Sequence, residues 1–151
     1  MRAVVQRVTR AAVTVDGKGI GAIGAGLLVL VGIGTEDGLS DVSALADKLL
    51  ALRLFPDEHN RMNRAISLEE GAILVVSQFT LFGDLRRGNR PSFTGAAPAE
   101  AARPLVAALV DHLRAGGITV VDGQFGAHME VELVNDGPVT LIIDVSQGRV
   151  I

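Results

Sequence analysis

The stretch Gly26-Leu27-Leu28-Val29-Leu30-Val31-Gly32-Ile33 is the most apolar part of the chain, and the fold can be worked out from it. In a strand, odd and even positions face opposite sides of the sheet, and here both are apolar. The stretch therefore predicts a strand that is buried on both faces. The stretch is far shorter than the ~20 residues that a membrane-spanning helix needs. We therefore expect a core strand and no transmembrane segment.

The residues before this stretch predict a hairpin. Residues 2–8 are apolar and β-branched, and Ala12 to Val15 alternates between apolar and polar positions. Asp16-Gly17-Lys18-Gly19 then supplies turn residues. Gly19-Ile20-Gly21-Ala22-Ile23-Gly24 matches the dinucleotide pattern GxGxxG, but that pattern needs a helix after it to hold the pyrophosphate. A β-like run follows instead, which indicates hairpin and bulge glycines.

The residues after it predict two helices and several strands. Ser40 is the expected N-cap of a helix that presents Val42, Leu45 and Leu49 on one face. Leu105, Leu109 and Leu113 mark a second helix, closed by Gly116-Gly117. The expected segments are helices from Ser40 and over Glu100–Arg114, and strands over Leu52–Phe55, Gly71–Leu81, Met129–Val134 and Val139–Val145. Strands and helices do not alternate regularly, which favours one α+β domain over 1–151 with a largely antiparallel sheet.

Composition limits the class of protein. The 151 residues contain no cysteine, which excludes disulfides, a thiolate nucleophile and thiolate-bound metals, so a cytoplasmic location is expected. The 48% hydrophobic content and mean hydropathy of +0.39 fit either a subunit interface or an alanine- and valine-rich core. The net charge of −3 disfavours bulk coating of nucleic acid but permits a local basic patch. His59, His112 and His128 lack metal-ligand spacing, so we expect no zinc site.

Two polar segments differ from ordinary core sequence. Ser77-Gln78-Phe79-Thr80-Leu81 follows the apolar run Ile73-Leu74-Val75-Val76, so its polar groups either bind a ligand or mark a strand reaching the surface. Asn135-Asp136-Gly137-Pro138-Val139-Thr140 consists of turn residues. Taken separately, each segment has an ordinary structural explanation.

Together, the two segments carry a resemblance that runs nearly end to end. With Met1–Val8, Gly88–Phe93 and Gly123–Gly126 plus Met129, they make the chain resemble the bacterial and eukaryotic D-aminoacyl-tRNA deacylases. Phe82-Gly83-Asp84 departs from the family's usual Tyr-Ala-Asp, and His128 replaces a usual acidic residue. The resemblance implies a barrel-like sheet core and hydrolysis of the ester that joins a D-amino acid, or glycine, to tRNA.

The resemblance also implies the site. The family pairs two subunits, so Gly137 and Pro138, joined by a cis peptide, would face the partner's Ser77, Gln78, Phe79 and Thr80. The rigid backbone would exclude L side chains by a steric clash. Arg7 would fix the Gly-Pro segment, and Phe125 and Met129 would line an adenosine pocket. No cofactor or metal is implied.

The source of catalysis has two readings. Thr80 is an available hydroxyl nucleophile, but no histidine, lysine or carboxylate close to it in sequence would serve as its base. The resemblance favours assistance by the tRNA's terminal 2′-hydroxyl, with backbone amides near Phe79 and Thr80 stabilising the oxyanion. Arg86, Arg87 and Arg90 form the densest basic cluster, either a solvated loop or a contact for tRNA phosphates.

Three other functions remain open from the residues alone. A threonine-nucleophile esterase or amidase would act on small D-amino-acid esters and form an acyl-enzyme. An RNA-binding module would keep the fold without catalysis, although both motifs are intact. A DNA-associated role, attached to some eukaryotic relatives, has no independent support in this acidic chain, and no DNA partner is expected.

Overall fold

The strand predicted around Leu27 lies in the middle of a seven-stranded sheet. The structure, a computed structural model, describes residues 1–69 and 71–151. Strand β3 (Gly26–Gly32) is buried except for a half-buried Leu30, as its composition predicts. The helices are α1 (Leu39–Ala51) and α2 (Ala99–Ala115), and the other strands are β1 (Arg2–Val15), β2 (Lys18–Ile23), β4 (Arg53–Pro56), β5 (Met62–Ala65), β6 (Ala72–Ser77), β7 (Thr119–Asp122), β8 (Glu130–Ser146) and β9 (Arg149–Val150).

The sheet has the order β7-β6-β3-β1-β8-β9, and β2 also pairs with β1. Strand β1 pairs antiparallel with β2, β3 and β8, whereas β3–β6 and β6–β7 are parallel pairs. Parallel pairing requires a long crossover connection, and each of these two crossovers contains a helix. The prediction of an α+β fold with a largely antiparallel sheet and two main helices is therefore confirmed, with a mixed sheet as the refinement.

The sheet curls so that it has two apolar clusters. Helices α1 and α2 cover one face over Val5, Leu27, Val29 and Ile73. Beyond Val8 the long strands curl around a second cluster, and together they form a half-barrel. That cluster contains Val8, Ala11, Val13, Ile23, Leu28, Leu74 and Val76.

The β1–β2 hairpin is confirmed, with its turn at Asp16-Gly17. Val13 pairs with Gly21 and Thr14 with Gly19, so Ile20 is the extra residue of a β-bulge. The glycines of the GxGxxG match therefore belong to a bulged strand, as expected. In the described part of the chain, no helix has the length and apolar character needed to cross a bilayer.

The predicted N-cap of α1 is wrong. The helix begins at Leu39 with Gly38 as its cap, and Ser40 lies inside the first turn. The Asp41 carboxylate replaces a capping hydroxyl, since it accepts the Gly38 N–H at 2.9 Å. It also accepts the Gly148 N–H at 2.9 Å, which ties the helix to the β8–β9 turn. Helix α2 matches its prediction to within one residue at each end.

Two predicted strand boundaries are also wrong. The β run predicted over Gly71–Leu81 stops at Ser77, and Phe79–Phe82 forms a 3-10 turn. The two strands predicted around residues 135–138 are one strand, β8, whose pairing with β1 shifts register between Gln6 and Val8. A four-residue turn was expected there, but the segment is a wide bulge because β1 continues on both sides of it. Strands β5, β7 and β9 were not predicted.

Candidate active site

The Ser77–Thr80 segment forms a corner at the end of β6. The Gln78 N–H donates to the Val31 carbonyl at 2.7 Å, so the corner is fixed to the central strand. The first hydrogen bond of the following turn runs from the Leu81 N–H to the Gln78 carbonyl at 3.2 Å. The preceding amides, on Phe79 and Thr80, are therefore not used by the turn itself. Both residues are exposed.

The Thr80 hydroxyl accepts a hydrogen bond from the Gln78 side-chain amide. An amide has no basic group, so this contact cannot activate the hydroxyl as a nucleophile. Phe79 is 57% exposed and meets Phe93 edge-to-face, with 5.1 Å between ring centroids. The corner thus presents backbone amides and an aromatic ring rather than an acid–base pair.

A cavity of about 490 Å3 opens beside this corner. Apolar residues from β3, β6, α2 and the segment before β8 form most of its wall. His128 is the one titratable side chain that lines it among the described residues. The size and apolar wall suit a flat ring system. The lining includes Val31, Val76, Ala102, Val106, Phe125 and Met129.

Phe125 and Met129, predicted to line a pocket, both lie in the wall of this cavity. The Arg103 guanidinium covers the Phe125 ring, with its carbon 4.7 Å from the ring centroid. A Cβ on Gly123 would lie only 2.8 Å from the Met129 sulfur, so the thioether occupies space that glycine leaves free. Sequence reasoning missed Arg103 and Gly123, since neither stands in a local pattern that marks a site.

Gly137 and Pro138 form the exposed tip of the β8 bulge, and the peptide between them is cis. The Asn135 side chain spans the bulge: its Oδ1 accepts the Val139 N–H at 3.0 Å and its Nδ2 donates to Thr140 Oγ1 at 2.9 Å. Gly137 has φ +124°, and a Cβ there would lie 2.8 Å from Val139 Cγ2. Only glycine fits this conformation without rearrangement.

Arg7 lies on β1 beneath the bulge, with its side chain only 11% exposed. Its Nε is 3.0 Å from Asp136 Oδ2, and its Nη1 donates to the Leu54 carbonyl. The predicted residues thus fall into two groups within one chain. Ser77, Gln78 and Phe79 of the corner line the cavity with Phe125 and Met129. Thr80, Arg7, Gly137 and Pro138 do not line it.

The three arginines of the basic cluster line a second concavity of about 660 Å3, together with Asp84, Ser92 and Thr94. Arg86 is engaged with Asp84, and its Nη2 lies 2.6 Å from Asp84 Oδ2. Hydrogen bonds from the Arg86 side chain and backbone lower the pKa of Asp84 to about 2. The pair therefore stays ionised at neutral pH, while Arg87 and Arg90 have no carboxylate partner among residues 1–69 and 71–151.

Comparison with known proteins identifies the family. The family model described as D-Tyr-tRNA(Tyr) deacylase matches residues 4–144. This chain belongs to the D-Tyr-tRNA(Tyr) deacylase family. Two relatives named D-aminoacyl-tRNA deacylase are each 58% identical to it: one from Heliobacterium modesticaldum, covering 99% of both chains, and one from Anaeromyxobacter dehalogenans, covering 95% of this chain and 97% of the relative.

Solved structures show the D-Tyr-tRNA(Tyr) deacylase fold as well. A protein named c-Myc DNA Unwinding Element Binding Protein superimposes with a TM-score of 0.91 at 42% identity, over 97% of this chain and 99% of that one. A probable eukaryotic D-amino acid tRNA deacylase superimposes with a TM-score of 0.83 over 95% of this chain and 98% of that one. Because its identity is 17%, the second likeness supports the fold alone.

Proposed function

We propose that this chain hydrolyses the ester bond of D-aminoacyl-tRNA, releasing a free D-amino acid and tRNA. Glycyl-tRNA is a second substrate in this proposal, and L-aminoacyl esters are spared. Membership in the deacylase family supports the reaction class. The observation that carries the proposal is the apolar cavity beside the Ser77–Thr80 corner, because it has room for adenine next to backbone amides that the following turn does not use.

In this arrangement the terminal adenosine of tRNA occupies the cavity. Its base packs against Phe125 and Met129, and the ester carbonyl lies at the corner. The Phe79 and Thr80 amides then donate hydrogen bonds to the oxyanion that forms when water attacks the carbonyl carbon. Amides fixed in this way stabilise developing charge without reorganising during the reaction.

Gly137 and Pro138 of a partner subunit act as the chiral filter in this proposal. Both are exposed and neither lines the cavity of its own chain, so they are available to a second copy. The bulge is braced by Asn135 and by the Arg7–Asp136 pair. An L side chain would meet this fixed backbone, whereas a D side chain points away and glycine has nothing to exclude. Discrimination of ~10⁴-fold requires roughly 5.5 kcal/mol, which a rigid clash supplies.

The surface around the bulge supports a homodimer. Ile142 is 68% exposed on β8, and its neighbour across the sheet, Val4, is only half-buried. Val134, on the same strand, is 39% exposed. An apolar surface of this kind next to a functional motif is typical of a subunit interface.

The terminal ribose supplies the assisting group in the proposed mechanism. Thr80 is hydrogen bonded to an amide, and no acid or base contacts its hydroxyl within the described ranges. The 2′-hydroxyl, adjacent to the ester, instead helps water attack the carbonyl, and the 3′-oxygen leaves with a proton. The reaction needs no metal or cofactor. The protein contributes positioning and oxyanion stabilisation, two effects that lower barriers substantially.

The tRNA partner and the cellular location complete the proposal. In this proposal Arg86, Arg87 and Arg90, which line one concavity, contact phosphates of the acceptor end. The net charge of −3 disfavours extensive DNA binding, so no DNA partner is proposed, although the 42% identical relative is named for binding DNA. Aminoacyl-tRNA is a substrate of translation, which favours a cytoplasmic location.

The decisive experiment compares matched D- and L-tyrosyl-tRNA with the purified protein, following release of the amino acid. The expected result is rapid hydrolysis of the D ester and sparing of the L ester. Hydrolysis of both would remove the chiral filter from the proposal. Folded protein that binds tRNA and cleaves neither would favour an RNA-binding module. A free D-tyrosine ethyl ester tests the small-molecule esterase, which would turn it over without RNA.

A further inference from the structure

Arg103 lies at the wall of the cavity without lining it. It follows Ala102, whose side chain lines the cavity, and its guanidinium stacks over Phe125 at 4.7 Å from the ring centroid. Its Nη2 also lies 4.0 Å from the position that a Cβ on Gly126 would take. The guanidinium is therefore held on the outer side of the Phe125–Gly126 wall, and the side chain is exposed.

No carboxylate pairs with Arg103 among residues 1–69 and 71–151. Ion pairs hold several other arginines, whereas the Arg103 guanidinium stacks on the Phe125 ring. Stacking orients a guanidinium and leaves its N–H groups, which lie in the plane of the group, free to donate sideways. The paired arginines are Arg2, Arg7, Arg10, Arg64, Arg86 and Arg114.

We propose that Arg103 binds the 5′-phosphate of the nucleoside whose base occupies the cavity. A planar fork of N–H donors is the side chain best suited to two phosphate oxygens. A base inserted into the apolar cavity leaves its ribose and 5′-phosphate at the rim, where the Phe125 ring carries the guanidinium. The inference rests on the proposed function, because it takes that nucleoside to be the terminal adenosine of tRNA.

Arg103 acts here as a positioning residue, and its site differs from the arginine cluster at residues 86–90. Those side chains line a separate concavity, whereas Arg103 adjoins the base cavity itself. Phosphate binding at this point positions the nucleoside in the cavity to the same extent in the ground state and in the transition state. The phosphate takes no part in the chemistry, so loss of the contact raises KM and leaves kcat within about twofold.

The test compares binding of adenosine 5′-monophosphate and adenosine to the full chain by isothermal titration calorimetry. The wild type is expected to bind the monophosphate about tenfold more tightly than adenosine at low salt, with the preference shrinking as ionic strength rises. R103Q is expected to bind both equally and R103K to keep part of the preference. R61Q is the control, since Arg61 is exposed on the β4–β5 hairpin and does not line the cavity.

Two results would overturn the inference: a wild type that does not prefer the monophosphate, or an R103Q variant that keeps the preference. Arg103 is exposed, so R103Q is expected to fold, and equal adenosine affinity in both proteins verifies that the cavity is intact. The readout does not depend on hydrolysis. An Arg103-dependent preference in a protein that cleaves no aminoacyl ester would contradict the proposed activity while supporting the phosphate site.

Discussion

Arg7 on β1 and Asp136 on β8 form an ion pair, with 3.0 Å between Nε and Oδ2, at the point where β8 bulges away from β1. The pair joins residues at opposite ends of the chain and lies directly next to Gly137. Since Arg7 also donates to the Leu54 carbonyl, one side chain joins the bulge both to β1 and to strand β4. The orientation of the Gly137–Pro138 tip therefore depends on Arg7.

Arg7→Ala is expected to reduce kcat/KM for D-tyrosyl-tRNA at least tenfold. It removes a largely buried arginine from its pair with the half-exposed Asp136 and takes the donor away from the Leu54 carbonyl. We expect a loss of about 1–3 kcal/mol in the free energy of unfolding. Arg10→Ala is the matched control, because Arg10 pairs with Glu132 across the same two strands at an exposed position. Exposed ion pairs contribute about 0–1 kcal/mol to the free energy of unfolding. The Arg10 variant should therefore stay folded and active. Equal effects of the two variants would contradict a special role for Arg7.

Thr80→Ala is expected to keep kcat for D-tyrosyl-tRNA within about tenfold of the wild type, because the Thr80 hydroxyl has no base to activate it. Thr80→Ser is the matched variant that keeps a hydroxyl. If Thr80 were the nucleophile, the serine variant would be active and the alanine variant inactive in single-turnover assays. A substrate ending in 2′-deoxyadenosine should react at least about 10²-fold more slowly with all three proteins.

Arg87→Gln and Arg90→Gln are each expected to weaken tRNA binding and to reduce the slope of log affinity against log salt by about 0.7–0.9 per lost phosphate contact. The double variant Arg10→Gln/Glu132→Gln is the control. It removes an exposed ion pair that does not line the concavity of the arginine cluster, so net charge is unchanged and the slope should be too. The affinities are measured by fluorescence anisotropy over a range of salt concentrations. If the slopes of the arginine variants equal that of the wild type, the cluster is a solvated loop that does not contact tRNA phosphates.

The local elements could be predicted from sequence because their causes are local. Helix α2 has an apolar stripe and a terminal Gly116-Gly117, and β3 has an unbroken apolar run. The predicted end of β6 was wrong because the strand stops where the Gln78 N–H donates to the Val31 carbonyl. That hydrogen bond is made to another strand, so no local pattern indicates it. The predicted N-cap of α1 was also wrong. A hydroxyl at Ser40 was expected to cap the helix, but the Asp41 carboxylate accepts the Gly38 N–H instead.

The site was less accessible to sequence reasoning. Phe125 and Met129 were assigned to a pocket only through family resemblance, and the structure places both at one cavity. No local pattern joins Arg7 to Asp136, which pairing between β1 and β8 brings together. Arg103 was missed because an arginine on the outer face of an amphipathic helix is ordinary. Its stacking on Phe125 depends on the tertiary fold.

Asp41→Asn is expected to lower the free energy of unfolding by about 1–3 kcal/mol at pH 7, because one partly buried N–H loses its charged acceptor. Burial favours the neutral acid, but hydrogen bonds from Gly148 and Gly38 outweigh it and lower the pKa of Asp41. A lowered folded-state pKa contributes stability above the unfolded value of about 3.9, and this is lost as pH falls through the folded pKa.

The difference between Asp41→Asn and the wild type should therefore shrink as pH falls below about 4, measured by urea unfolding at fixed protein concentration. Asp111→Asn is the control, because the Asp111 side chain is 79% exposed and its pairing with Arg114 is weak. It should change stability by less than about 0.5 kcal/mol at every pH. A difference for Asp41→Asn that stays constant down to pH 3 would mean that its charge is not what stabilises the fold.

Two variants that are each inactive as homodimers are expected to form one intact active site when one chain of each makes a heterodimer. Ala99→Trp blocks the cavity from the exposed start of α2, and Gly137→Ala distorts the bulge, where a Cβ would lie 2.8 Å from Val139 Cγ2. Co-expression with two different tags and tandem purification isolates the heterodimer. If each site combines the cavity of one subunit with the Gly137–Pro138 tip of the other, one site pairs two intact elements and the other pairs two altered ones.

The heterodimer should then show about half of the wild-type activity per dimer toward D-tyrosyl-tRNA, since one of two symmetric sites is intact. If each chain built its site alone, every site in the heterodimer would contain one altered element, and no activity would return. An inactive heterodimer that is folded and dimeric by light scattering would thus contradict the shared site, because mixing the two chains would have left a defect in both sites.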